Sequence, residues 1–178
     1  MTTFIALLRA VNVGGRKVEM EPLRAVADKL GFTEVRTYIA SGNLLVTGTG
    51  TTASVEAKLE KAIQAKFGIE VPVIVRTAEQ WKAYLTTPFP GPAEAEPNRV
   101  VLGLSKSSPR KEAPAELLAR AKNGESLVLR GDGLWFHYPG GQAETKITPA
   151  SVDKAVGSAT TARNLNTVRK LAEIAGVA

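Results

Sequence analysis

The stretch VRTYIASGNLLVT, residues 35–47, decides the fold of this chain. It contains two strand-like runs, 35–40 and 44–47, that are joined by Ser41, Gly42 and Asn43. Gly and Asn tolerate the positive φ angles that a tight connection between antiparallel strands requires. The stretch therefore predicts a β-hairpin.

Regular elements flank this hairpin on both sides. Residues 4–11 are apolar on both faces, which is typical of a central strand, and residues 71–76 predict another strand. Helical spacing of apolar residues predicts two helices, which are marked by Leu23, Val26, Ala27 and Leu30 and by Val55, Leu59, Ile63 and Phe67. The order β-α-β-β-α-β favours a four-stranded antiparallel sheet with two helices on one face, the ferredoxin-like arrangement, over residues 1–77.

The second half of the chain shows a similar order of elements after a break. Residues 78–98 predict a short helix and a linker, because TTPFPGPAEAEP (86–97) contains four prolines. Residues 99–178 predict strands at 100–105, 126–130 and 134–138, a helix at 109–122, and two helices after Thr148. We therefore expect an α+β protein of two related ferredoxin-like subdomains plus an extra C-terminal helix. Their relation rests on topology, since no residue-level repeat is apparent.

Composition excludes several classes of chemistry. The 178 residues include one His and no Cys, so a thiol nucleophile, a thiolate metal site, a redox pair and a multi-histidine site are excluded. We expect no metal, no cofactor and no catalytic residue, and the balance leans against an enzyme. No leader or membrane-spanning stretch is evident, so a cytoplasmic location and no membrane partner are expected. The net charge of +6 indicates a basic protein with an anionic partner.

A glycine pair follows the first strand, where it could bind an anion. Gly14 and Gly15 expose backbone N–H groups before a helix, and Arg16 and Lys17 add positive charge. The segment matches neither common nucleotide-binding glycine motif. The alternative is a tight turn with solvated basic residues.

Arg9 and Ser41 are two further candidates. A guanidinium on an otherwise apolar strand must find an anion, carbonyl groups or water, and an ion pair with an acidic residue of the same half would serve equally well. Ser41 has no nearby histidine to activate it, so turn chemistry explains this serine without catalysis.

The last part of the chain supplies a basic segment and an aromatic strand. In TTARNLNTVRKL (160–171), a helix would place Arg163, Asn166, Thr167 and Lys170 on one polar face, suited either to phosphate or to solvent. Along the strand at 134–138, one aromatic pair is expected to face away from the core unless helices cover both sides. An exposed pair would suit base stacking.

Taken together, LLRAVNVGG (7–15), VRTYIASGN (35–43), ETKIT (144–148) and TTARNLNTVRKL resemble the bacterial family of domain of unknown function 1697. The resemblance implies two related ferredoxin-like halves and a protein whose activity is not established. The family pattern falls on Arg9, Asn12, Gly14, Gly15, Ser41, Gly42, Asn43, Lys146, Thr161, Arg163, Asn164 and Thr167. Two positions depart from it: Ala40 stands where the family has Gln, and Leu165 stands where it has Trp, which removes an aromatic platform.

These observations predict one set of anion-binding or ligand-binding residues: Arg9, Asn12, Gly14, Gly15, Arg16, Lys17, Ser41, Asn43, Lys146, Arg163, Asn164, Thr167 and Lys170. The favoured hypothesis is a binding module for a phosphate-bearing partner, with nucleic acid preferred. The alternative is a small-molecule enzyme or receptor with an anion pocket between the two subdomains. A purely structural or interaction role is the third reading, and the oligomeric state is not indicated.

Overall fold

The computed structural model describes residues 1–178, which form two four-stranded antiparallel sheets and six α-helices. The chain divides into unit 1, residues Met1–Lys82 and Leu171–Ala178, and unit 2, residues Ala83–Lys170. The predicted α+β class with two ferredoxin-like sheets is confirmed, since both sheets have the same strand order. None of the helices combines the length and the apolar character that crossing a membrane requires.

Unit 1 has the β-α-β-β-α-β order that its hydrophobic periodicity predicts. Its elements are β1 (Thr2–Leu8), α1 (Met20–Lys29), β2 (Thr33–Tyr38), β3 (Asn43–Gly48), α2 (Thr52–Phe67) and β4 (Val73–Thr77), followed by α3 (Ala78–Tyr84), which runs into unit 2. The sheet order is β2-β3-β1-β4. A capping box between Thr51 and Ser54 begins α2, and Gly68 ends it in the left-handed conformation.

Unit 2 repeats this topology. After a 3-10 turn (Pro97–Arg99), its elements are β5 (Val100–Ser105), α4 (Ala113–Leu118), β6 (Ser126–Arg130), β7 (Gly133–His137), α5 (Pro149–Val156) and β8 (Thr160–Asn164), followed by α6 (Leu165–Ile174), which runs into unit 1. The sheet order is β6-β7-β5-β8. Thr148 caps α5, and Gly157 ends it.

Two predictions about unit 2 are wrong. The helix expected at 109–122 is confined to Ala113–Leu118. Residues 160–164, expected to begin a helix, form β8, because Gly157 ends α5 and the chain then pairs antiparallel with β5, with Arg163 opposite Leu102. The predicted polar helix face that grouped Arg163 with Lys170 therefore does not exist.

The aromatic strand also differs from the expectation of an exposed pair. Phe136 and Tyr138 lie in the core on the helix side of the sheet and stack with ring centroids 5.5 Å apart. On the other face, Trp135 contacts Phe89 edge to face at 5.2 Å, and His137 contacts Glu96. All four of these side chains are buried, so β7 and the residue after it offer no surface for base stacking.

Candidate functional site

Eight of the predicted site residues lie at one end of the unit 1 sheet. We define the loop site as residues 9–19, between β1 and α1, together with the β2–β3 turn, residues 39–42. The two segments are in contact, because the Leu8 amide donates to the Gly42 carbonyl over 2.8 Å and the Asn12 side chain donates to the Ala40 carbonyl. The structure thus brings together Arg9, Asn12, Gly14, Gly15, Arg16, Lys17, Ser41 and Asn43.

Asn12 closes the loop. Its Oδ1 accepts from the Val18 amide over 3.0 Å, and its Nδ2 donates to the Val18 carbonyl over 2.9 Å as well as to Ala40. Asn12 itself has a φ of 57°, a conformation that Asn tolerates better than most residues. Both ends of its amide are therefore engaged in holding the loop.

Arg16 has the same kind of role. Its Nε donates to the Ala10 carbonyl over 3.0 Å, and its Nη2 donates to the Glu70 carbonyl, in the connection between α2 and β4, over 2.5 Å. A planar guanidinium donates in fixed directions, so it can link two separate backbone segments rigidly. Arg16 braces the loop instead of pointing its charge at a ligand.

The tip of the loop, Val13, Gly14 and Gly15, is exposed between these two braces. Gly14 and Gly15 have φ angles of 56° and 80°, and no atom lies within 4 Å of the position that a Cβ would occupy on either. The three tip residues are exposed, and their backbone amides donate no hydrogen bond within the chain. Exposed backbone N–H donors of this kind are a feature of loops that bind oxyanions.

Lys17 supplies the positive charge beside the tip. Its side chain is 75% exposed, and its ammonium lies 2.8 Å from the Glu19 carboxylate. The hydrogen bond and the opposite charge of Glu19 raise the pKa of Lys17, and Lys17 in turn lowers the pKa of Glu19. An exposed ion pair of this kind contributes little to stability, so the ammonium is available to a competing anion.

The β2–β3 turn is shaped by Gly42 and Asn43. A Cβ on Gly42, whose φ is 86°, would lie 2.7 Å from Val11 Cγ2 and 2.8 Å from Leu8 Cβ, so only glycine fits. The buried Asn43 donates through Nδ2 to the Tyr38 carbonyl over 2.9 Å and to Ser41 Oγ over 3.0 Å. Its role is to hold the turn against the loop.

Arg9 lies directly after β1 and is half-buried. Its backbone amide donates to the Pro72 carbonyl over 3.0 Å, which anchors the start of the loop beside β4.

The predicted residues of unit 2 occupy different parts of that unit. Arg163 lies on the edge strand β8. Lys146 lies on the loop before α5, and its backbone carbonyl accepts from Arg120 over 3.3 Å. Asn164 Oδ1 accepts from the amide of the buried Thr167 over 3.0 Å and so caps α6. Lys170 is half-buried on that helix.

Arg163 is 9% exposed. Its Nη1 donates to Thr161 Oγ1 over 2.9 Å and to the Ala162 carbonyl over 2.8 Å. Burial lowers the pKa of Arg163 to about 10, so the guanidinium stays charged at neutral pH. These contacts give Arg163 a structural role at the end of the sheet.

Arg76 is the counterpart of Arg163 in unit 1 and was missed from the sequence. It lies on β4, is buried, and donates through Nη1 to the Val75 carbonyl over 2.9 Å, as Arg163 donates to Ala162. Thr77 caps α3 in exchange with Gln80, as Asn164 caps α6. The sequence feature that could have revealed Arg76 is an Arg followed by a helix-capping residue, which occurs at 76–77 and again at 163–164. This pair of positions is a residue-level repeat between the two units.

A buried carboxylate in unit 2 was also missed. Glu125 accepts from the Asn123 amide through Oε2 and from Thr145 Oγ1 through Oε1, both over 2.8 Å. Burial opposes the charge on Glu125, but these hydrogen bonds outweigh it and lower the pKa of Glu125. Burial and the charge of Glu125 both raise the pKa of Tyr138. The ETKIT segment therefore fastens its loop to the start of β6.

Comparison with known proteins places the chain in a family. Residues 1–135 match the family model described as "Protein of unknown function (DUF1697)". The chain belongs to this family. It is also similar to a solved structure, that of the conserved bacterial protein SP0830 from Streptococcus pneumoniae. The TM-score is 0.72, the identity is 22%, and the similarity covers 98% of each chain.

This structural similarity supports the fold of the DUF1697 protein over nearly its whole length. No curated protein matches the chain. The description of the family assigns no activity, so the function has to be argued from the site.

Proposed function

We propose that the loop site binds a phosphate group of an anionic polymer, and that the polymer is a nucleic acid. The observation that carries this proposal is the exposed tip: the amides of Val13, Gly14 and Gly15 donate no hydrogen bond within the chain, and the exposed Lys17 lies two residues further along the same loop. Backbone N–H groups with a neighbouring cation form a recurrent type of phosphate site in proteins.

Rigidity of the loop supports the proposal. Asn12 and Arg16 attach the loop to the β2–β3 turn and to the α2–β4 connection, so the tip amides are already positioned before any ligand arrives. A preformed site avoids the entropy cost of ordering a loop on binding. Ala10, Asn12 and Ile39 all have positive φ angles. This strained backbone supports a functional loop, because strained residues concentrate at functional sites.

The charge of the whole chain supports a polymeric partner. Unit 2 carries twelve Lys and Arg against eight Asp and Glu, so it contributes +4 of the total of +6. A net positive field speeds the encounter with a polyanion and adds binding energy that is independent of sequence. A single phosphate group would not use this distributed charge.

Fluorescence anisotropy with a labelled mixed-sequence single-stranded RNA, and in parallel with DNA, tests the proposal. We expect binding at low salt whose affinity falls steeply as salt is added, because each neutralised phosphate releases counterions. Absence of any complex at low salt, for RNA and for DNA, would contradict the proposal.

Lys17→Glu locates the site, with Lys58→Glu as its matched control. Lys58 is exposed on α2, so both variants change the net charge equally. We expect Lys17→Glu to weaken binding by about tenfold and to lower the salt slope by about one, while Lys58→Glu has a clearly smaller effect. Equal losses in the two variants would show that net charge, and not the loop site, governs binding.

A further inference from the structure

The two sheets have four edge strands, and two of them are closed by carboxylates. On β4, the amides of Val73 and Val75 donate to Glu60 and Glu56 of α2 over 2.9 and 3.0 Å. On β8, the Thr160 amide donates to Asp153 of α5 over 3.0 Å. These side chains occupy backbone donors that an added strand would need, and so disfavour extension of the sheet at both edges.

The third edge strand, β2, is interrupted. Its register against β3 shifts between Thr33 and Arg36, and the exposed Glu34 between them has a φ of 50°. A register shift combined with exposed charges is a common way to prevent pairing at a sheet edge.

The fourth edge strand, β6, has none of these features. A two-residue turn with Gly131 at a φ of 60° joins β6 to β7, and Arg130 pairs with Gly133. In such a hairpin, Arg130, Val128 and Ser126 form the hydrogen-bonded pairs with β7, so the N–H and C=O groups of Leu127 and Leu129 point away from the sheet. The strand sequence SLVLR (126–130) places apolar residues at the centre of this open edge.

We propose that β6 pairs antiparallel with β6 of a second copy of this chain, with the two-fold axis at Val128. In this register, Leu127 of one copy lies opposite Leu129 of the other, and their outward N–H and C=O groups form four hydrogen bonds. Every backbone group that the edge leaves open then has a partner. The proposal concerns a different surface from the loop site and does not depend on it.

Side-chain chemistry favours a second copy as the occupant. Leu129 is 39% exposed and Leu118, at the end of the adjacent α4, is 42% exposed, so the edge carries apolar surface that pairing would cover. Across the axis, Ser126 lies opposite Arg130, and no like charges face each other. At each end of the paired edge, the exposed Lys122 of one copy and Asp132 of the other have opposite charges, and Asp132 also accepts from Tyr84 within its own copy.

Cysteine cross-linking tests both the interface and its register, since the chain has no native Cys. Val128 would lie opposite itself in a non-hydrogen-bonded pair with Cα atoms about 4.5 Å apart, within disulfide range. We expect Val128→Cys to form disulfide-linked dimers on mild oxidation. Leu127→Cys and Leu129→Cys should each form few alone, but should cross-link when mixed. Equal cross-linking of all three single variants, or none by Val128→Cys, would overturn the proposal.

Sedimentation equilibrium tests the association without new thiols. We expect the unmodified chain to dimerise and Leu129→Pro to raise the dissociation constant at least tenfold, because proline removes an outward donor but no bond to β7. Ala162→Lys, on the closed edge β8, is the control and should dimerise normally. An unmodified chain that sediments as a monomer at its highest soluble concentration would overturn the proposal, as would a Leu129→Pro variant that melts normally and still dimerises fully.

Discussion

The loop between β1 and α1 in unit 1 and the loop between β5 and α4 in unit 2 occupy the same place in the same topology, yet they differ in what they expose. Each contains an arginine that donates to backbone carbonyls at or after the end of the second helix of its unit: Arg16 to Glu70, and Arg110 to Lys154 and Ala155. This brace is common to both units.

The two loops differ in their backbone amides. In unit 2, the amide of Lys106 donates to the Ala159 carbonyl over 3.1 Å, and the amide of Ser107 donates to Ser158 Oγ over 3.1 Å. In unit 1, the Arg9 amide makes the equivalent bond to Pro72, but the exposed Gly14 and Gly15 have amides that donate no hydrogen bond within the chain. Both loops are basic, so positive charge does not distinguish them. What distinguishes the unit 1 loop is its exposed pair of glycines at positive φ, since residues 106–112 of the unit 2 loop contain no glycine.

The largest expected effect on stability is at Gly42, in the β2–β3 turn of unit 1, compared with Gly14 in the neighbouring loop. Gly42→Ala places a methyl group within 3 Å of Val11 and Leu8 at a positive φ, so we expect a loss of about 2–4 kcal/mol in the free energy of unfolding. Gly14→Ala, at a positive φ but in open space, should cost about 1 kcal/mol. Urea denaturation measures both, and equal losses would contradict the close packing of the turn against the loop.

Removal of the two braces is expected to have the next largest effect. Arg16→Ala and Arg110→Ala should each lower the free energy of unfolding by about 1–2 kcal/mol, because each variant loses hydrogen bonds between separate backbone segments. Only Arg16→Ala should also weaken RNA binding, since it loosens the exposed tip. If Arg110→Ala weakens binding equally, the difference between the two loops is not functional.

Acidification should destabilise a segment of unit 2 before the loop of unit 1. We expect this loss of stability to be smaller than that caused by Arg16→Ala or Arg110→Ala. The pKa of Glu125 is lowered on folding, so its contribution to stability is complete above the ordinary glutamate pKa and is lost as the pH falls through the lower, folded-state value. In unit 1, Asn12 and Arg16 hold the loop through backbone carbonyls, and its one acid-sensitive contact, the exposed Lys17–Glu19 pair, contributes little to stability.

Hydrogen exchange followed by mass spectrometry measures this difference. We expect residues 122–147 to lose protection on acidification before residues 9–19 do. Glu125→Gln should remove the pH dependence of the 122–147 segment. Loss of protection in both segments at the same pH, unchanged in Glu125→Gln, would contradict the role of this carboxylate.

The smallest expected effect compares two exposed lysines. Lys17→Ala should weaken RNA binding about threefold, as expected for one phosphate contact, while Lys111→Ala in the unit 2 loop should leave the affinity unchanged. Anisotropy titrations at one fixed salt concentration measure both variants. A larger loss of RNA affinity for Lys111→Ala than for Lys17→Ala would indicate that the binding site lies in unit 2.

Sequence periodicity was sufficient to predict the fold of unit 1, because strands and helices there follow clear spacing and are separated by turn residues such as Gly31 and Gly68. It failed at β8. Thr160–Asn164 lacks an apolar alternation, and its strand conformation depends on pairing with β5 and on the contact between Thr160 and Asp153. Such long-range partners leave no mark in a local pattern.

The candidate site shows the same limit. Glycine and basic residues in the sequence predicted a candidate loop between β1 and α1. The structure brings this loop together with the predicted residues of the β2–β3 turn. Sequence could not show that Asn12 and Arg16 act as braces, because their partners at Ala40 and Glu70 are 28 and 54 residues away. Arg163 was predicted to be a ligand-binding residue on a helix, whereas it is buried on a strand.

The most direct test of the exposed tip is a titration of the 15N-labelled full chain with a short single-stranded RNA, followed by amide NMR at low salt. We expect the amide resonances of Val13, Gly14 and Gly15 to shift progressively, and those of Lys106 and Ser107 to remain in place. Binding that leaves the Gly14 and Gly15 resonances unmoved would contradict the proposed loop site.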